Sequence, residues 1–182
     1  MQSSEITVVI ETPKESRLKF KFDKVSGRYK VDRILAKGLR FPFNFGFVPQ
    51  TQAPDGDPTD ILLIIDEILF PGCCLDCRVL GVVRAEQYEK GKIYRNDRIL
   101  AVSVKDADAP KSIDELERNF VLNVERFFAT YHQAEGNRFE VIGIGNAEEA
   151  LELVRQTMLP KPGGGGIDGE HERSGPGTVV AR

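Results

Sequence analysis

An acidic turn leads directly into an apolar run at residues 54–65, PDGDPTDILLII. Proline holds the backbone angle φ at about −65° and glycine permits a tight reversal, so this turn is stiff. It crowds Asp55, Asp57 and Asp60 together, and their carboxylates repel one another unless a positive charge lies between them. Hard oxygen ligands prefer Mg²⁺, Mn²⁺ or Ca²⁺ to softer metals. The segment predicts a divalent-cation site at the start of a buried strand, although the same residue types also favour an ordinary turn.

Alternating and continuous apolar patterns on both sides of this turn predict β-strands. Glu5–Glu11 and Arg17–Asp23 alternate, and Gly27 indicates a hairpin turn before residues 29–31. Apolar runs predict further strands at Asp60–Asp66, Cys74–Ala85, Arg98–Val104 and Arg138–Gly145.

Two later segments have helical spacing instead. The first is predicted to begin at the cap residue Ser112 and to continue through Tyr131, and the second to run from the cap residue Asn146 to Gln156. A glutamate follows each cap three residues later, as in a capping box. Many strands come first and helices late, without βαβ alternation. We therefore expect a mainly β protein of the α+β class, with a small antiparallel barrel and two C-terminal helices packed outside it.

The end of the chain has a different composition. Residues 160–182 are rich in glycine, proline and charge, and they contain few apolar side chains whose burial could offset the entropy cost of ordering them. We predict one domain over residues 1–159 and a disordered tail over residues 160–182.

The overall composition excludes several classes of protein. The 182 residues are 29% charged and 41% hydrophobic with a net charge of −3, which argues against a broad nucleic-acid-binding face. No apolar stretch approaches the roughly 18 residues of a membrane span, and no signal peptide precedes the first strand. The clustered Cys73, Cys74 and Cys77 do not form a disulfide framework. A cytoplasmic location is the expectation.

Two further groups of side chains carry alternative interpretations. Charged residues share one face of the early strands, and they either bind an anionic ligand beside a metal or form a solvated face: Glu11, Lys19, Lys21 and Arg33. The aromatic stretch at residues 41–47, FPFNFGF, either stacks nucleic-acid bases or packs in the core or against another subunit. Its acidic neighbour at residues 55–60 would repel phosphates, which favours packing.

Taken together, these segments resemble the soluble family I inorganic pyrophosphatases from about Ile6 to Val154. The most specific match is residues 55–60, DGDPTD, which fit the family signature Asp-x-Asp-Pro-x-Asp. Further matches follow in the family order: VVIETP at 8–13, VDR at 31–33, FPFNFGFVP at 41–49, GVV at 81–83, FFATY at 127–131 and GNAE at 145–148. The resemblance implies an OB-like five-stranded barrel that hydrolyses pyrophosphate to two phosphates with several Mg²⁺ ions, or Mn²⁺ in their place. It also implies a homo-oligomer, because bacterial relatives form hexamers.

The same resemblance implies roles for individual acidic residues. Asp55 would bridge metal ions, and Asp60 would bind the tightest one. Asp57 would orient or deprotonate the attacking water, besides contacting metal. Glu11 would act on a metal through an intervening water.

The resemblance also implies a set of substrate-binding residues. Lys19, Arg33 and Tyr131 would hold phosphate oxygens. Arg98 stands where the family has a lysine and would act on the substrate in its place.

The chain departs from the family pattern at several positions. Lys21 replaces an acidic residue, His132 replaces a lysine, and Phe41 and Phe45 replace tyrosines. Two further metal-binding aspartates of the family correspond to neutral residues, Gln87 and Asn96, and Asp97 is the best candidate to supply a carboxylate after a local shift.

Two hypotheses about function remain open on the sequence. The first is a Mg²⁺-dependent inorganic diphosphatase, either fully active or attenuated by the neutral residues. The second is a catalytically weak or inactive paralogue that binds a ligand or a partner. A nucleic-acid-binding OB module is a distant third because of the negative net charge.

Overall fold

The computed structural model describes residues 5–117 and 119–160. The predicted tail, apart from Pro160, lies outside the described residues. The described strands are β1 Glu5–Thr12, β2 Leu18–Asp23, β3 Arg28–Ile34, β4 Asn44–Phe47, β5 Asp60–Ile64, β6 Cys74–Glu89, β7 Lys92–Arg95, β8 Arg98–Ser103 and β9 Arg138–Asn146. The helices are α1 Phe120–Gln133 and α2 Ala147–Thr157.

Five strands close into a barrel in the order β1-β4-β5-β8-β6, with β6 returning to β1. This confirms the expected small five-stranded barrel of a mainly β protein. One pair, β5 and β8, is parallel, whereas the other four contacts around the ring are antiparallel. Alternation of apolar residues predicts that a strand exists but not its direction, so the parallel pair was not foreseen.

The longest strand extends beyond its predicted end. β6 continues past Ala85 to Glu89 and turns into β7, with Glu86 opposite Arg95. The polar stretch between the predicted strands Cys74–Ala85 and Arg98–Val104 is therefore a hairpin. Polar residues suit it because all four residues of β7 are exposed. The same part of β6 also pairs with β9.

The first helix begins later than predicted, whereas the second has the predicted cap. The predicted start of the first helix at Ser112 is wrong, because residues 113–115 form only a 3₁₀ turn and the Ser112 side chain makes no capping hydrogen bond. The chain is extended again at Leu116, and α1 begins at Phe120. The capping box of α2 is confirmed, since Asn146 accepts from the Glu149 N–H and the Glu149 carboxylate accepts from the Asn146 N–H, both at 3.0 Å.

Each helix covers a different part of the barrel core. The buried face of α1 joins an aromatic cluster in which the rings of Phe41 and Phe127 lie 5.1 Å apart. Ala150 and Val154 of α2 join a second, aliphatic cluster. Phe41 and Phe45 are almost fully buried, so the aromatic stretch packs in the core, as its acidic neighbour suggested. Neither described helix is long and apolar enough to cross a membrane.

Strands β2 and β3 form a separate two-stranded hairpin beside the barrel. Gly27 lies at its turn with φ of +64°, a conformation that glycine adopts without steric cost. Lys19 pairs in register with Arg33, so the hairpin brings two cations to adjacent positions.

Gly46 tests the close approach of β4 to β1. A Cβ at this position would lie 2.3 Å from the Val9 carbonyl oxygen, which belongs to the backbone and cannot rotate away. We expect Gly46→Ala to lower the free energy of unfolding by about 1–3 kcal/mol, the usual cost of overpacking. Gly143→Ala is the matched control, since its Cβ would meet no atom within 4 Å. Urea denaturation of both variants checks this, and equal stability would contradict the strand contact.

Candidate functional site

A cavity of about 430 Å³ lies between the β2–β3 hairpin, the aspartate turn and the C-terminal end of α1. It gathers side chains from segments that are far apart in the sequence. Eight of the nine site residues expected from the sequence line it: Glu11, Lys19, Arg33, Asp55, Asp57, Asp60, Arg98 and Tyr131.

The ninth expected residue, Asp97, is not brought into this cavity. Its Oδ1 accepts from the Ala85 N–H at 2.9 Å, and both of its oxygens accept from Arg95. It lines an adjoining cavity of about 760 Å³ together with Asp55 and Asp60. Sequence reasoning could not place Asp97, because its position depends on the β6–β7 hairpin.

The aspartate turn is held by its own backbone. The Ala53 N–H donates to the Asp57 carbonyl at 2.7 Å, and the Asp57 N–H donates to Asp55 Oδ1 at 3.1 Å. Gly56 has φ of +89°, so a side chain there would be strained. The turn therefore presents Asp55 and Asp57 from a fixed backbone, with Asp60 at the first position of β5.

Asp57 is paired with a lysine in this arrangement. Lys21 Nζ donates to both of its carboxylate oxygens at 2.9 Å, and both side chains are about half exposed. Burial is the largest single effect and opposes the charged form of Lys21, but the hydrogen bond to Asp57 together with the charges of Asp57, Asp32 and Glu11 outweighs it and raises the lysine pKa. The carboxylate proposed to act on water thus has a cationic partner from the hairpin.

Asp60 is paired with an arginine that is buried. Arg98 is 4% exposed, and its guanidinium forms an ion pair with Asp60. The guanidinium also lies over the rings of Phe45, Phe128 and Phe139 at 5.7, 4.9 and 5.9 Å. Burial raises the pKa of Asp60 even though the charge of Arg98 opposes this. This charge pair is therefore a largely buried part of the cavity wall, with the Asp60 side chain still 22% exposed.

Asn96, which is held in turn by Gln87, contacts the same guanidinium nitrogen of Arg98 that meets Asp60. Asn96 Oδ1 accepts from the guanidinium, and Asn96 Nδ2 donates to Gln87 Oε1 at 2.6 Å. Gln87 Nε2 in turn donates to Glu89 at 3.1 Å. The wall formed by Gln87, Asn96 and Arg98 is called the arginine wall below.

The hairpin cations face an aromatic residue of α1. Lys19 Nζ and the Arg33 guanidinium lie 5.8 and 5.5 Å from the centre of the Tyr131 ring. The Tyr131 hydroxyl is buried and has no hydrogen-bond partner among the described residues. These three side chains line one cavity, which favours an anionic ligand over a solvated strand face.

His132 also lines the cavity, and sequence reasoning gave it no role. Its side chain is 95% buried and stacks on Phe139 at 5.3 Å, and both ring nitrogens lack a hydrogen-bond partner among the described residues. Burial, together with the charges of Arg98, Lys19 and Arg33, lowers its pKa to about 3. The residue is therefore a neutral imidazole, and the sequence signalled it only by its place beside Tyr131, where the resembling family has a lysine.

Glu11 closes the cavity at the end of β1. Its Oε1 accepts from the Phe22 N–H at 2.8 Å, which ties the hairpin to the barrel. Burial raises its pKa to about 7, against the opposing effects of that hydrogen bond and of Lys19. A carboxyl group with this pKa exchanges its proton near neutral pH.

Comparison with known proteins assigns this arrangement to a family. The family profile described as inorganic pyrophosphatase matches residues 8–160. The chain belongs to the inorganic pyrophosphatase family. This confirms the resemblance to the family that the sequence indicated. The barrel fold and the class of hydrolase are confirmed as well.

Individual relatives are similar over most of their length. The inorganic pyrophosphatase of Nanoarchaeum equitans is 36% identical over 159 residues, covering 85% of this chain and 96% of the relative. The inorganic pyrophosphatase of Synechocystis sp. is 35% identical, and the match covers 84% of this chain and 89% of that relative. The crystal structure of an inorganic pyrophosphatase from Neisseria gonorrhoeae has a TM-score of 0.77 at 30% identity, covering 85% of this chain and 90% of that one.

The cavity fits a divalent cation on one side only. Asp55, Asp57 and Asp60 supply hard oxygen ligands, and the charges of Asp55 and Asp57 contribute to the raised pKa of Asp60. Among residues 5–117 and 119–160, however, no three acidic, histidine or cysteine side chains converge closely enough to coordinate a metal. A cation at the turn must therefore exchange with the lysine on Asp57 or with the arginine on Asp60.

The raised pKa of Glu11 predicts a pH-dependent stability. The folded protein holds this proton up to pH of about 7, whereas the unfolded chain loses it near 4.5, so the stabilisation disappears as pH rises between these values. Relative to wild type, Glu11→Gln should gain about 2–3 kcal/mol of unfolding free energy between pH 4.5 and pH 8. Urea denaturation in EDTA measures this. Glu67→Gln, at an exposed site, is the control, and parallel curves for all three proteins would contradict the prediction.

Proposed function

We propose that this chain hydrolyses pyrophosphate to two phosphates with Mg²⁺ as its cation and Mn²⁺ as an alternative. Membership of the inorganic pyrophosphatase family supports the reaction. The observation that carries the proposal is one cavity in which the aspartate turn faces cations from the hairpin and from β8. Phosphoryl transfer requires mainly charge neutralisation and positioning, and this cavity combines carboxylates for a metal with cations for an anion.

The substrate is held by residues on two sides of the cavity. Lys19 and Arg33 bind phosphate oxygens, and the unpartnered Tyr131 hydroxyl donates a hydrogen bond beside them. Arg98 binds the anion from the wall on the side of β8. Cations around the anion also raise its local concentration in the cavity.

The metal is held by the carboxylates of the turn. Asp55 and Asp60 would be its ligands, Asp57 would contribute an oxygen where the metal displaces Lys21, and Glu11 would act through an intervening water. When bound, the cation supplies a water of lowered pKa and neutralises charge on the transferred group.

Asp57 acts as the general base in this proposal. One carboxylate oxygen accepts the proton of the attacking water, while the other is held either by Lys21 or by the metal that displaces it. The lysine keeps the side chain oriented, and it must leave one of the two oxygens before proton transfer. Lys21 therefore positions the base and also competes with the metal.

The sequence also raised an alternative function, an oligomeric state and a cellular location. The comparisons give no support to the alternative of a paralogue without turnover, since the relatives are named as pyrophosphatases. The hexamer and the cytoplasmic location stay predictions. Three free cysteines support a reducing compartment, and the negative net charge argues against nucleic acid as a ligand.

Asp57 tests the general-base role. We expect Asp57→Asn to reduce phosphate release from pyrophosphate by 10²–10⁴-fold at saturating Mg²⁺, because the amide cannot accept the proton. The control is Asp66→Asn, the same substitution at a fully exposed carboxylate beyond β5. A colorimetric phosphate assay compares them, and similar rates for wild type and Asp57→Asn would assign the base elsewhere.

Substitution of Lys21 tests whether its ion pair with Asp57 competes with metal binding. A cation that binds only the folded protein stabilises it by about 2.7 kcal/mol at a hundredfold excess over Kd. Because Lys21→Gln frees both oxygens of Asp57, we expect half-maximal stabilisation at several-fold lower Mg²⁺ than in wild type. Lys30→Gln, which breaks an ion pair within the hairpin, should leave the midpoint unchanged.

Thermal unfolding over a Mg²⁺ titration from an EDTA baseline measures both variants. A wild-type melting curve that does not respond to Mg²⁺ would remove the metal from the proposal. A response that is identical in Lys21→Gln would remove only the competition.

A further inference from the structure

The arginine wall of Gln87, Asn96 and Arg98 has a chemistry unlike that of the aspartate turn opposite. Its two amides are neutral, and they bond to each other, to the guanidinium and, from Gln87, to the Glu89 carboxylate at 3.1 Å. Asn96 and Arg98 are both more than nine-tenths buried. Gln87 and Asn96 themselves offer a divalent cation only amide oxygens, and both of these already accept hydrogen bonds.

The positive charge on this wall is carried by the Arg98 side chain and not by a bound metal ion. Arg98 cannot lose its proton, and three aromatic rings fix its plane. Asp60 is paired with it, while Arg98 Nε is buried and has no hydrogen-bond partner within the described part of the chain. An unsatisfied donor of this kind costs free energy unless a ligand or water accepts from it. Planar guanidinium groups suit phosphate oxygens particularly well.

We propose that the arginine wall is a metal-independent phosphoryl subsite, in which Arg98 binds one phosphoryl group directly and Gln87 and Asn96 keep a divalent cation out. The inference rests on the proposed function, since it assigns the two ends of the substrate to different walls. One phosphoryl group meets the metal-binding turn, and the other meets a fixed guanidinium. The site then needs fewer divalent cations than a cavity with carboxylates on both walls.

The amides of Gln87 and Asn96 are essential if the two phosphoryl groups are to be held by different walls. A carboxylate at position 87 or 96 would compete with the anion for Arg98 and would offer a charged oxygen to a cation. A neutral amide holds the guanidinium through its oxygen without cancelling its charge. The amides therefore add no negative charge to the one that Asp60 already places beside Arg98.

The first test counts bound metal. Free Mn²⁺ is measured by electron paramagnetic resonance during titration of the full chain, without substrate. Wild type should bind about one Mn²⁺ per chain fewer than the Gln87→Asp/Asn96→Asp variant, which turns the wall into a carboxylate site. The matched control, Asn123→Asp/Gln133→Asp, adds the same two charges at exposed positions of α1 and should bind as wild type does.

The second test measures the anion. Inorganic phosphate is titrated calorimetrically into each protein in EDTA. We expect the double variant at the wall to bind phosphate at least tenfold more weakly than wild type, with the control unchanged. If the double variant does not fold, Asn96→Asp alone should weaken phosphate binding several-fold.

The outcomes separate the two proposals. An equal Mn²⁺ count in wild type and the wall variant, or equal phosphate affinity in EDTA, would overturn the metal-independent subsite. A wild type that binds no Mn²⁺ and releases no phosphate from pyrophosphate with Mg²⁺ would instead overturn the proposed function.

Discussion

The arrangement of this molecule depends on the buried pair of Asp60 and Arg98. The two residues begin the parallel strands β5 and β8, so the pair lies where the barrel meets the cavity. A buried charge without a partner is costly, and a buried pair is tolerated when further contacts satisfy it. Here Asn96 and three aromatic rings supply those contacts. The barrel core, the aromatic cluster and the ligand site are therefore joined through one guanidinium.

Charge balance distinguishes this cavity from a simple carboxylate cage. Lys21 holds Asp57, and Arg98 holds Asp60, so two of the three aspartates already have cationic partners. The first pair is half exposed and easily exchanged, whereas the second is buried. A metal and an anion arriving together would release the carboxylates and the cations from each other. The proposed reaction thus uses aspartates that the protein keeps paired with its own cations before the ligands bind.

Local chemistry explains why much of the architecture could be predicted. The aspartate turn is specified by two prolines and Gly56, and the apolar run after it becomes the buried strand β5. The capping box at Asn146 is equally local and is present as expected. Ser112 shows the limit of such signals, because a similar pattern there yields only a 3₁₀ turn before the chain extends. A capping residue favours a helix, but the following residues must also fit the packing of the barrel.

The sequence by itself determined the barrel, the acidic turn, the family and most residues of the cavity, because these depend on periodicity and on short motifs. Only the tertiary structure decided which charges meet. It paired Lys21 with Asp57, placed Asp97 against the backbone of Ala85 outside the main cavity, and revealed His132 as a buried neutral side chain within it. These outcomes depend on register and on the β6–β7 hairpin, which bring together segments that are distant in the chain. Linear spacing carries no information about such contacts, since burial and partner choice are properties of the folded barrel.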